Sequence, residues 1–456
     1  MSDPTTFVKA KAFILRYPVL VIAIVGIVIR ACLIPLFTYS YDIYHWAVTI
    51  SNLRSGEGLY GLPGYYYTPV WGYMLAGIGN IADILGIANF GSLDPSLTFV
   101  ADSEWPYYRE MTYSLAFTIL IKTLFTIFDL ITAYLIYVLV KDHTKDTKKA
   151  SAAFGLWFLC PIVIYTSSVH AMFDTIAVTA LVLTLLLILR QKYALAGMVF
   201  AISVFLKFFP AYLIFILFAL ILRQGQTAGN RNKAALTAVS GFLLMTILIY
   251  IPQIIDGTVL DSFNFISSRV GEIGANNNGQ TVDIISTIGY SLVITLQAIT
   301  FPILIFLSWK IYKTPEKDEA FASKYMLFLM LSSAVIFLWT PTPTYLMIIL
   351  PFLVYVSVTR NDKYIIPYIL ISVSAVLYSL AMHNYSLLFQ LYEYSNLIPL
   401  DFLINGIGWL DMRMTFISNR TIINIILGAA ETLSIYSIYL FAYKAHKRDK
   451  KAVMHT

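Results

Sequence analysis

Along most of this chain the apolar residues neither alternate with polar ones, as in a strand, nor gather on one stripe of a helix. They run on without interruption, stop at a short polar or basic cluster, and resume. A continuous apolar run of about 20 residues is the length of helix that crosses a bilayer core. The first such run covers residues 17–37, and others follow at 112–140, 151–169, 174–189, 193–222, 235–251, 287–309, 325–339, 345–358, 365–382 and 421–443. The run 193–222 holds Lys207-Phe-Phe-Pro210 at its middle. Proline breaks a helix interior, because it lacks an N–H and its ring meets the preceding turn. This run is therefore read as a hairpin of two short segments with Lys207 near the bend. The pattern predicts an all-α polytopic membrane protein, a transmembrane bundle of about 10–12 helices.

One stretch breaks the rhythm. Residues 38–111 are aromatic-rich and less apolar, and they carry Asp42, Asp83, Asp94, Asp102, Glu104 and Glu110. A connection of that length is usually functional. Within it, residues 67–85 read as a helix at the membrane interface, a depth that suits their Trp and Tyr content. The expected organisation is a single integral membrane domain over 1–456. It comprises a short N-terminal segment (1–16), a large outer loop with interfacial helices (38–111), the remaining membrane segments (112–443) and a basic tail (444–456).

Composition removes the soluble alternative. The chain is 59% apolar and 12% charged, against about 25% charged residues in soluble domains. The net charge of +6 is not pooled into a nucleic-acid surface. Basic clusters stand between spans, at 141–149, 190–192, 223–233, 310–324, 360–363 and 444–451. The positive-inside rule assigns such clusters to the cytosol. Both termini are then cytosolic, and the long loops 38–111, 252–286 and 383–420 lie outside. Plasma membrane, if the source is prokaryotic, and endoplasmic reticulum, if eukaryotic, fit this charge pattern equally well. The N-terminal segment, with Lys9, Lys11 and Arg16, lacks a cleavable signal pattern. Cys32 and Cys160 both lie in apolar runs and give neither a disulfide framework nor a metal-ligand set. No Gly-rich phosphate loop is present, and Asn276-Asn-Asn-Gly279 reads as an outer turn. An activated substrate would have to come from the membrane itself.

Ionisable groups inside a bilayer cost about 2.5–3.5 kcal/mol each on insertion scales, so each calls for an account. Arg30 sits in the outer third of the first span, where it could hold a phosphate or snorkel to headgroups. Lys122 and Asp129 lie seven apart on one helix face, about 10 Å along its axis, and could serve a site, pack as a buried pair or bond neighbouring helices. Asp174 opens a span just after the Ser167-Ser-Val-His170 turn and could simply cap it. Lys207 could satisfy carbonyls freed at the helix break. Cations near one level are nonetheless what a lipid-linked phosphate needs: Arg grips it bidentately and Lys acts as a point charge. Asp42, just beyond the first span, is the leading catalytic candidate, because a carboxylate at a cavity mouth can accept the proton of an attacking hydroxyl. His45 could orient Asp42 or hydrogen-bond a sugar. No spacing of acids or histidines resembles a metal site.

Several motifs in order carry a family resemblance. They are Tyr41-Asp-Ile-Tyr-His-Trp46, Gly56-Glu-Gly-Leu-Tyr60, Tyr65-Tyr-Tyr-Thr-Pro69, and Phe128-Asp-Leu-Ile-Thr-Ala-Tyr-Leu-Ile-Tyr137 preceded by Lys122. Pro161, Ser167-Ser168 and His170-Ala-Met-Phe-Asp174 follow, then Lys207-Phe-Phe-Pro210 and Thr340-Pro-Thr-Pro-Thr-Tyr345. Together they resemble the GT-C superfamily of integral membrane glycosyltransferases. The likeness is greatest to the polyprenyl- or dolichyl-phosphate-mannose-dependent mannosyltransferases, the type that adds the first mannose to glycosylphosphatidylinositol precursors and its prokaryotic relatives. It covers residues 30–222 well and the later half in outline.

The resemblance implies a GT-C-type fold and a hexosyltransferase of glycolipid biosynthesis, transferring mannose in the first instance. The donor would be a polyprenyl- or dolichyl-phosphate-linked sugar and the acceptor a lipid or glycan, with no separate cofactor. Asp42 would be the catalytic base, and Arg30, His45, Tyr67, Lys122, His170, Asp174, Lys207 and Tyr345 would bind substrate. The departures are a single Asp where many relatives have two, Met172 and Cys160 in place of the family's Gln and Asn, and an insertion over 88–107. The alternative reading is a transporter or flippase of lipid-linked sugars. Carriers tend to break helices in matching halves, and the Lys207 break has no counterpart in the second half.

Overall fold

The computed structural model describes residues 16–60, 65, 67–87, 91–93, 111–263, 284–314, 321–338, 343–360, 363–383, 387–395, 397–399, 402 and 419–454. The expected turn at Asn276–Gly279, most of the 88–107 insertion and the start of the Thr340 motif lie outside these residues. The described chain is helical. That is what apolar runs in lipid require, since each backbone N–H and C=O must be satisfied internally.

In chain order come α1 (Pro18–Leu33), α2 (Ser40–Ser55) and α3 (Pro69–Ile84). A short antiparallel ribbon follows, with β1 (Gly91–Leu93) paired to β2 (Met111–Tyr113) in the register Ser92 to Thr112. Then come α4 (Leu115–Thr144), α5 (Thr147–Phe158) and α6 (Pro161–Ile164), which passes into a π-turn at Tyr165–His170. After α7 (Asp174–Leu189) and α8 (Tyr193–Leu206) a 3-10 turn at Phe209–Leu213 leads into α9 (Ile214–Thr227) and α10 (Arg231–Asp256). The later helices are α11 (Ile284–Lys313), α12 (Phe321–Val335), α13 (Leu350–Thr359) after a 3-10 turn at Pro343–Ile348, α14 (Ile365–His383), α15 (Phe389–Ser395) and α16 (Asn419–Met454).

Among the described residues, Leu115–Thr144, Phe209–Thr227, Arg231–Asp256 and Ile426–Arg448 are long and apolar enough to cross a membrane alone. α5 and the Pro161–His170 stretch qualify together, bent by 46° at the break between them. Shorter apolar helices, α1, α7 and α8 among them, fill the bundle around these. Their outward faces suit lipid: α10 exposes Leu236, Leu243, Ile247 and Ile255, while α1 exposes Leu20, Ile24 and Val28. The chain is an all-α polytopic membrane protein.

The expected hairpin at Lys207 is present. α7 and α8 run antiparallel, tied where the Ser203 hydroxyl donates to the Ala177 carbonyl at 2.7 Å. The backbone turns extended at Lys207 (φ −145°, ψ 135°), and α9 returns toward the starting end. α10 then runs beside α8 in the same direction. Gly197 lies against the Ala238 backbone and Gly241 against that of Ala194, with no room for a side chain at either. Further along, Phe205 meets Tyr250 with ring centroids 5.3 Å apart. α10 also continues through Pro252, where the sequence suggested a loop, and ends at Asp256. So near a helix terminus the proline removes a single ladder bond, and Tyr73 supports that turn by donating to the Ile249 carbonyl at 3.0 Å.

The bundle therefore has two distinct ends. Arg190 meets Asp142 at 3.4 Å, so the basic clusters 141–149 and 190–192 share one end. α2, α3 and the helix breaks occupy the other. There the aromatic core is dense: Trp71 stacks on Phe173 (4.2 Å, 9°), and Trp46 stands edge-on to Trp71 at 5.2 Å.

Candidate functional site

The interruptions in the helices coincide in space with the buried charges. α6 passes into the π-turn, Ala171 takes a left-handed backbone (φ 74°), and α7 starts at Asp174. A non-glycine residue at positive φ is uncommon, and broken helices at membrane depth are tolerated where they line a cavity or are covered by protein. This turn projects His170 and Asp174 into the same region as Lys207 at the neighbouring break.

Asp42 is not on a loop, as the sequence suggested, but in the first turn of α2. An acid there is favoured by the amide dipoles of the helix N-terminus. Its Oδ2 lies 2.8 Å from His170 Nε2. An ionised carboxylate only accepts hydrogen bonds, so Nε2 carries the hydrogen and donates. Tyr39 stands edge-on to the His170 ring at 5.1 Å. Asp42 keeps 13% of its side chain accessible while His170 keeps 5%, so the acid is the member of the pair that an entering molecule meets.

Beside this pair, Lys207 Nζ lies 3.5 Å from Asp174 Oδ2. At that distance the two form an ion contact without a tight hydrogen bond, and among the described residues neither Asp174 oxygen nor Lys207 Nζ has a hydrogen-bond partner. Unpaired buried polar groups are costly unless a ligand or water completes them. Aromatic rings surround the ammonium: Phe173 at 4.4 Å, Tyr67 at 5.1 Å and Tyr345 at 5.1 Å from Nζ to centroid. Asp42 is close enough for its charge to be felt by Lys207, Asp174 and Tyr67. Burial of Tyr67 raises the phenol's affinity for its proton, so it remains neutral. His45, one turn along α2, has its proton affinity lowered by burial, with the Asp42 charge opposing. Its imidazole is neutral at pH 7.

One expectation needs correction. Arg30 is not directed at this region. Its Nη2 and Nε donate to Asp129 Oδ2 at 2.8 and 3.1 Å, and its Nη1 donates to the Phe158 carbonyl at 2.8 Å. Full burial leaves the guanidinium no route to headgroups, so a carboxylate on the facing helix answers its charge. Lys122 and Asp129 share a helix face but do not pair with each other. Lys122 Nζ donates to the Phe37 and Val169 carbonyls, beside the site rather than in it.

The structure thus gathers Asp42, His170, Asp174, Lys207, Tyr67 and Tyr345, sets His45 and Lys122 at the margins, and withdraws Arg30. Sequence reasoning overlooked Phe173, which stacks on Trp71 under the Lys207 ammonium, and Thr175. The placement of Phe173 in the quoted His170–Asp174 motif was the available signal.

A membrane-embedded helical bundle with an acid–histidine pair beside a caged lysine–aspartate pair defines the class: a polytopic membrane protein with a polar site at one end. A family model described as GPI transamidase subunit PIG-U matches residues 99–279. That range runs past Lys207 but stops short of Asp42. The chain is also 30% identical over 89 residues to GPI mannosyltransferase 1 of Saccharomyces cerevisiae, covering 20% of this chain and 22% of that protein. The aligned stretch spans about a fifth of that relative's length. These similarities support a GT-C-like relationship in coarse outline.

Proposed function

We infer that the chain is a GT-C-type glycosyltransferase. It moves a hexose, mannose before others, from a polyprenyl-phosphate donor to a lipid or glycan acceptor at the non-cytosolic end of the bundle. The observation that carries this reading is the meeting of the hydrogen-bonded Asp42–His170 pair with Asp174 and Lys207, and the charged atoms of these last two lack hydrogen-bond partners among the described residues. The similarity to GPI mannosyltransferase 1 supports it.

The chemistry follows from the placement. His170 orients the Asp42 carboxylate, which takes the proton of the acceptor hydroxyl as that oxygen bonds to the anomeric carbon. On the opposite face the bond from the anomeric carbon to the phosphate oxygen breaks, and its electron pair leaves with polyprenyl phosphate. The product is inverted. Lys207 answers the charge that grows on the departing phosphate, the point at which a preorganised cation assists most. Tyr67, Phe173 and Tyr345 keep water from it and offer ring faces to the sugar.

A second reading is favoured by the match to the transamidase-subunit family across Lys122, His170, Asp174 and Lys207. On that reading the same site holds a lipid-linked glycan without turning it over. The deciding experiment incubates the detergent-purified chain with polyprenyl-phosphate-mannose and follows release of polyprenyl phosphate. Release from wild type, lost in Asp42→Asn, is the expected result. Binding without release would favour the subunit reading, and passage of the donor across vesicles without release would favour a carrier.

A further inference from the structure

Below the site, a single fully buried carboxylate holds the segment that carries it. Asp129 on α4 accepts from Arg30 on α1 through Oδ2. The same oxygen accepts from the Ser167 hydroxyl in the π-turn at 2.6 Å, and Oδ1 accepts from the Thr175 hydroxyl at the start of α7 at 2.7 Å. The backbone carbonyl of Asp129 accepts from Trp157 Nε1 at 3.1 Å. Ser167 and Thr175 bracket the residues of the break, and His170 and Asp174 lie between them.

Conformation alone does not hold this break. It contains a π-turn and a positive-φ alanine, and the regular helical ladder that would fix residues 167–175 is interrupted. Side-chain bonds to a fixed point replace it. Oδ1 has Thr175 as its hydroxyl donor, while Oδ2 is shared by Arg30 and Ser167. The Arg30 guanidinium lies 2.8 Å from Oδ2 and faces the carboxylate that both hydroxyls reach.

We propose that Asp129, paired with Arg30, is a positioning residue that sets His170 and Asp174 through Ser167 and Thr175. The proposal rests on the glycosyl-transfer reading above for its kinetic consequence, and it has a structural consequence independent of that reading. Removal of Asp129 or Arg30 would leave an uncompensated buried charge and endanger folding. The informative change is therefore Thr175→Val, which is close in shape and cuts the Oδ1 bond alone. Thr175→Ser restores the hydroxyl. Thr184→Val is the control, because on the same helix Thr184 donates only to the Ala180 carbonyl.

The measurements use the full-length purified chain. Polyprenyl phosphate release gives kcat and KM, and hydrogen–deuterium exchange follows the backbone of residues 167–175. Displacement of reacting groups by about 1 Å can cost up to about a hundredfold. Thr175→Val should therefore lower kcat by about tenfold or more with donor KM within about twofold. Exchange over 167–175 should quicken. Thr175→Ser should restore both, and Thr184→Val should change neither. Wild-type kcat in Thr175→Val overturns the proposal, as does a loss that Thr175→Ser fails to rescue. If wild type releases no polyprenyl phosphate, the transfer reading fails by itself. The exchange measurement then decides: faster exchange in Thr175→Val alone supports the latch, and unchanged exchange overturns it.

Discussion

At the residue scale, an acid and a lysine divide the labour. Asp42 is the more accessible member of its pair, while Lys207 and Asp174 are both enclosed, so the acid is suited to a proton and the lysine to a charge that grows in place. General-base catalysis contributes about a hundredfold to ten-thousandfold. Asp42→Asn should cut turnover by at least about a hundredfold while purifying as a folded monodisperse species, read by donor consumption. Lys207→Gln should weaken polyprenyl phosphate binding as well as turnover, read by competition with labelled lipid. His45 gives a pH signature. Burial lowers its proton affinity below the ordinary value of 6.5, so below that pH the unfolded chain binds more protons than the folded one. Stability then rises with pH and falls as pH drops through the region below 6.5. Thermal unfolding of His45→Gln should show a smaller loss than wild type between neutral and mildly acidic pH. Equal losses would remove this account of His45.

The residue scale is also where sequence and structure part. Asp42, His170, Asp174 and Lys207 could each be named from polarity in an apolar setting. Their pairing could not, because Asp42 and His170 are 128 positions apart and no periodicity links them. Arg30 was misread for the same reason. Its partner lies on another helix, and only packing reveals that its charge is already answered.

At the element scale, the breaks matter more than the helices. Pro161, Pro210 and the extended backbone at Lys207 turn what would be long spans into pieces whose ends meet at the site. The proline at 210 made one break legible in advance. The turn at Ser167-Ser-Val-His170 ahead of Asp174 was legible as well, but its π geometry from Tyr165 onward was not. Pro252 misled in the other direction, because a proline near a helix end costs little. The α8–α10 interface depends on close backbone approach at Gly197 and Gly241, as small residues permit in membranes. Gly197→Val should destabilise by about 1–3 kcal/mol through overpacking, seen as a lower midpoint in detergent-resistance unfolding. It should loosen the support beneath Lys207 as well.

At the scale of the whole molecule, the apolar runs determined the class, and two basic clusters, 141–149 and 190–192, meet at one end of the bundle, in line with the charge asymmetry read along the chain. What could not be read was how residues 38–60 and 65–87 fold back over the bundle. That docking depends on single bonds such as Tyr73 to Gln253 (2.6 Å) and Thr68 to the Phe205 carbonyl, made by residues with no regular spacing. The arrangement puts Tyr67 over Lys207 and Asp42 over His170, so the site is assembled from both the outer segment and the bundle. The most direct test of the central claim is a structure with polyprenyl phosphate bound. The account predicts its phosphate within about 3 Å of Lys207 Nζ, a charge-assisted hydrogen bond, with Asp42 facing the open side of that phosphate. A phosphate held elsewhere, with the Lys207–Asp174 contact undisturbed, would contradict it.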